Sequence, residues 1–487
     1  MDINLENGLV YDPAKGVFNK RDLVVKNAII GNVDDNVKSH NINGYYVYPG
    51  LVDSHLHLVA TGRRQLTPSL DDIKGKNELD LLLKRFSNKN LVSSIFNARG
   101  WDQDKLGFMP DRNYLDNIFP ETPAILERRC GHVAIVNSTM IDLYNLKELD
   151  GLDGTCISRG YLKERALIKL QNLITLSNEE LNTFLNKGIE LLLKYGITNI
   201  HTDDLHGVEL ETLIRMLSAQ KKIRIFEKLN VPFSQIEKIK NFKLYENEFL
   251  KLGSVKIFLD GSFGARTGAL MEPYADDKDN KGLLYYSEEE LKKILTLCEK
   301  EKLQLSVHII GDRALKIALN AFSNYPNSSL KHRLIHLQVA SDNQIEWMAE
   351  IGLIASLQPV FYTSDNAMAL ARLGEARFKK IAYPFKKMLE SGISISLSTD
   401  SPVEDPNPFL NIIAADKFFD RKTTLYLYMI NGRSHGFSND SGRLLSGERA
   451  DFFITTTNLI EASKKELKTT EVKATVVNGE LVHGSLP

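Results

Sequence analysis

Cysteine is scarce in this chain: Cys130, Cys156 and Cys298 are the only three in 487 residues. An odd count at wide spacing excludes a disulfide framework and a thiolate zinc site. All three read as reduced, structural residues, so any metal must be held by nitrogen and oxygen. A surplus of charge is also missing. Lysine and arginine number 61 against 62 aspartates and glutamates, a formal net charge of −1, which leaves no electrostatic case for nucleic acid or an anionic membrane. No run of about eighteen apolar residues occurs, and Met1-Asp2-Ile3-Asn4 opens the chain without the basic and apolar regions of a secretory leader. The expected location is cytoplasmic. Low-complexity tracts and fixed-period repeats are missing as well.

What is present suffices for a large core. Hydrophobic residues make up 43% of the chain and charged ones 25%, an ordinary globular balance, and the length suggests roughly two to three domains. Residues 1–46 read as short strands, such as Gly8-Leu9-Val10-Tyr11 and Asp22-Leu23-Val24-Val25, between Gly, Asn and Asp turn signals. Residues 431–487 match them in character, and Asn478-Gly479 between Val477 and Leu481 is a two-residue hairpin signal. The two chain ends are expected to build one small β-sandwich domain.

Between them, residues 47–430 alternate strand and helix patterns, the form that βα units around a parallel sheet take. Eight candidate strands end near His57, Gly100, His201, Asp260, His308, His336, Gln358 and Asp400, which predicts an α/β protein built on a (β/α)8 TIM-like barrel. Helical runs are expected at Ser287–Lys302 and Ser341–Ile351, the first with a capping-box pattern of Ser287 and Glu290. The stretch from about 102 to 193 is too long for one βα connection. It reads as a subdomain inserted after the second strand, over the catalytic face.

The chemistry concentrates at strand ends. The run from Val47 to Leu58 carries His55 and His57, which point the same way because side chains two apart on a strand share a face. Alone, such a pair reads as two strand-end histidines near the surface. Ser306-Val307-His308, Leu334-Ile335-His336 and Ser398-Thr399-Asp400 place further potential ligands at the ends of β-prone runs, and Lys256 sits in Ser254-Val255-Lys256-Ile257-Phe258. Donors delivered by successive strand ends converge at the C-terminal face of a barrel.

Several motifs resemble one known family. Pro-Gly-Leu-Val-Asp-Ser-His-Leu-His (49–57), Gly-Trp-Asp-Gln (100–103), Val-Lys-Ile-Phe-Leu-Asp-Gly-Ser (255–262), His-Ile-Ile-Gly-Asp-Arg-Ala (308–314) and Ser-Thr-Asp-Ser-Pro-Val (398–403) look like the amidohydrolase superfamily. More narrowly they resemble its third family, which includes N-substituted formamide deformylase-like proteins. The likeness runs nearly end to end. It departs at Gly442-Arg443-Leu444-Leu445-Ser446-Gly447-Glu448-Arg449-Ala450-Asp451, a segment of the terminal β domain that carries no catalytic role.

The resemblance implies that His55 and His57 bind one divalent ion, that His308 and His336 bind a second, and that Lys256 and Asp400 complete the centre. Nitrogen and carboxylate donors suit Zn²⁺, with Mn²⁺, Fe²⁺, Co²⁺ or Ni²⁺ as alternatives. It further implies a carbamate on Lys256, formed when a desolvated lysine amine captures CO₂. Asp400 is then the general base that carries a proton from water to a leaving amine. By position in matching motifs, Trp101, Arg129, His132, Asp260 and Arg266 are candidate substrate contacts, although Trp101 could equally pack under the insertion. His201 reads as either near the metals or structural.

The implied activity is hydrolysis of a C–N bond in a small N-acyl or N-formyl compound. An ester or a cyclic amide remains an alternative. A deaminase on the same fold would need a His-x-x-Glu pattern, but the third residue after His308 is Gly311. A catalytically inactive relative would have lost ligands, and all six are present. The partners expected are a small-molecule substrate and a second copy in a homodimer.

Overall fold

The computed structural model describes residues 2–31, 37–87, 93–128, 133–205, 207–437 and 441–487. The chain divides into two compact units, one of Met1–Leu58, Ile189–Leu205 and Leu213–Pro487, the other of Val59–Gly188 and His206–Thr212.

The first unit contains an eight-stranded, all-parallel sheet in chain order. Its strands are β1 (Leu51–Leu56), β2 (Ile197–Thr202), β3 (Arg224–Leu229), β4 (Leu250–Phe258), β5 (Gln304–Ile309), β6 (Arg333–His336), β7 (Ile354–Leu357) and β8 (Ser394–Leu397). The last strand returns to the first. Ser54 Oγ on β1 donates to Leu397 O on β8 at 2.9 Å, and beyond the strands Asp400 N donates to His55 O at 2.9 Å and His57 N to Ser401 O at 2.8 Å. These bonds bring the sheet nearly to closure as a TIM-like barrel. Every residue of β1, β2 and β3 is buried, as expected where a parallel sheet is covered on both faces.

One expected barrel strand lies elsewhere. Phe96–Trp101, which contains Gly100, pairs with Ala124–Arg128 in a separate four-stranded sheet of the second unit, completed by Val133–Val136 and Tyr161–Lys163. The missing barrel strand is β3, Arg-Ile-Phe-Glu-Lys-Leu, and the chain leaves the barrel directly after β1 rather than after a second strand. Three charges in six residues disguise β3, yet all three are buried and bonded. Arg224 pairs with Asp451 at 2.6 Å, Glu227 accepts from Asp204 N at 3.1 Å and Lys228 donates to His201 O at 2.5 Å.

Strands from the two chain ends share one eight-stranded sheet. Tyr46–Pro49 is its junction, parallel to Ile3–Asp12 on one side and antiparallel to Phe452–Thr455 on the other. Leu23, Val25 and Val47 pack there against Phe452, Ile454 and Val476, and each such side chain contributes about 1.5–3 kcal/mol by leaving water. Asn478 and Gly479 have φ of 53° and 71°, the two left-handed residues that a type I′ hairpin requires. The expected capping box forms at Ser287 and Glu290, starting the helix Glu288–Glu301. Among the described residues no helix is long and apolar enough to cross a membrane.

Candidate metal centre

The C-terminal ends of the barrel strands gather the predicted donors. His55 lies near the end of β1 and His57 just past it; His308 lies near the end of β5, His336 ends β6, and Asp400 follows β8. Side-chain donor atoms of His55, His336 and Asp400 all fall within 4.8 Å of one another, and the three residues are buried. Asp400 Oδ1 is 3.2 Å from His55 Nε2 and 3.4 Å from His57 Nε2. Neither approach is aligned as a hydrogen bond, so Oδ1 stays buried without a partner. Donors crowded about a common point without bonding one another are the arrangement a cation would satisfy.

The other ring nitrogens fix the tautomers. His57 Nδ1 donates to Asp203 O at 2.8 Å, and His336 Nδ1 to Gln358 Oε1 at 2.9 Å, which leaves both Nε2 lone pairs for a ligand role. His308 is reversed: its Nε2 donates to Gly261 O at 3.0 Å, leaving Nδ1 as its lone-pair nitrogen. The rings of His308 and His336 lie 4.5 Å apart between centroids, and those of His55 and His336 5.3 Å.

Burial supports the neutral imidazoles that ligation needs. It pushes His55 and His308 well below the usual histidine range and His336 down to about 4. His57 goes the other way. Burial lowers its pKa, but the nearby carboxylate of Asp400 outweighs that and holds it above the ordinary value. For Asp400, burial alone would raise the pKa. The close approach of the His55 and His57 rings and the charge of His336 outweigh it and hold the carboxyl well below the usual carboxylate range.

Two of these groups occupy strained backbone. His336 has φ of 76° and Asp400 φ of 60°, left-handed conformations that cost non-glycine residues about 1–3 kcal/mol and cluster at functional sites. Asp53 anchors both β1 and β8 beneath them, its carboxylate accepting from Thr399 Oγ1 at 2.6 Å and from His55 N at 3.2 Å.

The same groups line a cavity of about 380 Å³, whose wall includes His55, His57, His308, His336 and Asp400. The amidohydrolase family model matches residues 40–483 of this chain.

The chain belongs to the amidohydrolase family.

YtcJ of Bacillus subtilis (strain 168), provisionally named an amidohydrolase, is 28% identical over 480 residues, 91% of this chain and 90% of its own. The N-substituted formamide deformylase of Arthrobacter pascens is 22% identical over 493 residues, 91% of this chain and 89% of that protein. An uncharacterized metal-dependent hydrolase from Pyrococcus furiosus has a solved structure that is 30% identical, with a TM-score of 0.84 over 95% of this chain and all 100% of its own. Membership in this family makes the protein a metal-dependent hydrolase.

The remaining residues of this amidohydrolase separate clearly. Lys256 is fully buried on β4, its Nζ 3.0 Å from Asp203 Oδ2 and 3.9 Å from the centre of the Phe258 ring. Trp101 is a core residue of the second unit, fully buried with its indole N–H on Leu126 O at 2.9 Å; it has no surface to offer a substrate. Asp260 is fully buried as well, its carboxylate taken by the N–H groups of Ala269, Ile310 and Gly311 at 2.8–2.9 Å. It shapes the loop after β4 instead of touching substrate. Arg266 is committed to Asp276 at 3.1 Å and does not line the cavity. Arg129 and His132 lie outside the described residues. His201 is structural, accepting at Nδ1 from Arg333 at 2.7 Å inside the barrel.

Asp53, Asp203, Gln338 and Gln358 were not singled out from sequence. Asp203, Gln338 and Gln358 follow strand ends, where a polar residue gives the same signal as a turn or helix cap, and Asp53 lies within β1, where its partners Thr399 and His55 N are supplied only by the fold.

Proposed function

We propose that this amidohydrolase cleaves a C–N bond in a small N-acyl or N-formyl compound, with Asp400 as its general base. The convergence of His55, His336 and Asp400 at the C-terminal ends of the barrel strands, in the wall of a cavity, carries this reading. The activity that one relative is named for, N-substituted formamide deformylation, supports the bond type.

His55, His57, His308, His336 and Asp400 would hold the divalent metal, and their nitrogen and oxygen donors fit Zn²⁺. Such an ion, when bound, lowers the pKa of water and polarises a carbonyl. The protein's own groups do the rest. Asp400, kept ionised by its histidine neighbours, takes up a proton and delivers it to the leaving nitrogen. Phe361, stacked on His336 at 6.0 Å between centroids, helps keep bulk water away. Lys256, buried beside Asp203, is the proposed site of the carbamate.

A deaminase reading is disfavoured at one position. A Cβ on Gly311 would lie 2.0 Å from Ala269 O, so no glutamate side chain fits three residues after His308.

The test is a substrate panel. Metal-loaded protein is assayed against N-formyl amines, N-acyl amines, esters and cyclic amides, with release of the amine or alcohol measured. Turnover of linear amides is expected to dominate. Turnover of esters or cyclic amides alone would overturn the assignment.

A further inference from the structure

We propose that the cavity selects substrates whose end remote from the scissile bond is an apolar arm bearing a cationic, ammonium-type head, received by Asp365. The inference rests on the amidohydrolase reading for where the scissile bond lies, and on the cavity wall for the rest.

That wall is sharply divided. Phe258, Phe263, Ile310, Phe361, Met368 and Val403 make much of it apolar. Apart from the candidate metal ligands, Asp365 is the one charged side chain lining it among the described residues, and no lysine or arginine does. The cationic residues nearby are committed elsewhere. Arg372 bonds Asp276 and Phe263 O, and Arg377 bonds Leu373 O and Pro273 O.

Asp365 precedes the helix Asn366–Leu373 yet makes no side-chain capping bond to it. Its carboxyl is pushed up by burial and stabilised only by Gln338, another residue of the cavity wall. Close by, Glu404 is raised by burial and by the charges of Asp365, Asp400 and Asp405. The Tyr383 hydroxyl feels Asp365 too; the residue is 3% exposed and that hydroxyl has no hydrogen-bond partner. At the Asp365 end of the wall, half-buried carboxylates with no lysine or arginine beside them in the cavity lining reward a cationic head group. The cavity volume suits a ligand with one short arm.

Binding of two matched probes tests this. Phenylbutylammonium and phenylbutanol differ only in the head group, and their affinities for metal-loaded protein are measured by isothermal titration. The ammonium should bind about tenfold tighter, the usual worth of a hydrogen bond to a charged group. In Asp365→Asn that ratio should fall to within about threefold of unity. Equal affinity of the wild-type protein for both probes overturns the proposal whatever the variant does, and so does a preference that survives in Asp365→Asn. Neither probe contains an acyl bond. Ammonium selectivity without amide hydrolysis would therefore sink the catalytic reading alone, and hydrolysis of neutral amides without that selectivity would sink this one alone.

Discussion

Gln358 Oε1 accepts the Nδ1 proton of His336 at 2.9 Å, while Gln358 Nε2 donates to Ser398 Oγ at 2.7 Å. The residue after β7 therefore decides which nitrogen of the histidine ending β6 faces the centre. Groups that orient a ligating histidine typically contribute 10–100-fold to metal affinity. Gln358→Leu should weaken metal binding by about that factor in a chelator-competition titration, with the fold intact by circular dichroism. Unchanged affinity would remove Gln358 from the centre.

Asp400→Asn separates proton transfer from metal assembly. The variant should keep most of its metal through the remaining histidines while hydrolysis slows by at least about 10²-fold. Metal and activity lost together would mark Asp400 as chiefly a ligand.

Lys256→Ala should lose activity, with partial return on adding short carboxylic acids. Lys256→Arg should show no such rescue, because it fills the space with a permanent cation beside Asp203. An alanine variant as active as the parent would exclude the lysine from the chemistry.

Metal binding should rise with pH through and above the ordinary histidine range. In the metal-free protein His57 is held above its usual pKa, as Asp400 outweighs the effect of burial, so a metal must displace its proton. The same raised pKa stabilises the metal-free fold below the unfolded histidine value, and that contribution is lost as pH climbs through the folded one. Calorimetric titration in buffers of different ionisation enthalpy counts the released protons. Zero release at slightly acidic pH contradicts the assignment.

Asp451 sits fully buried between Arg224 at 2.6 Å and Arg433 at 3.3 Å. Asp451→Ala withdraws the carboxylate that the two guanidiniums share and should cost about 3–5 kcal/mol in denaturant unfolding. A loss below about 1 kcal/mol would show that the pair is compensated.

The donors and the barrel were legible in sequence for one reason: His55, His308 and His336 each close a short apolar run, and such runs keep their signature in a parallel sheet. β3 was not legible. Arg224, Glu227 and Lys228 read as solvent-facing, and only the folded protein supplies the buried partners that make them interior. Backbone strain was equally hidden, since nothing in the residue types of His336 or Asp400 announces a left-handed φ. For Trp101 the sequence left substrate contact and packing equally open, and its bulk fills a core.

The pairing of Tyr46–Pro49 with Phe452–Thr455 also sets an order of events during synthesis. The early strands emerge from the ribosome roughly 20–80 s before their partner, at about 5–20 residues per second. Through that interval one edge of Tyr46–Pro49 has no strand beside it, and the sheet that links both chain ends is among the last parts of the molecule to be completed.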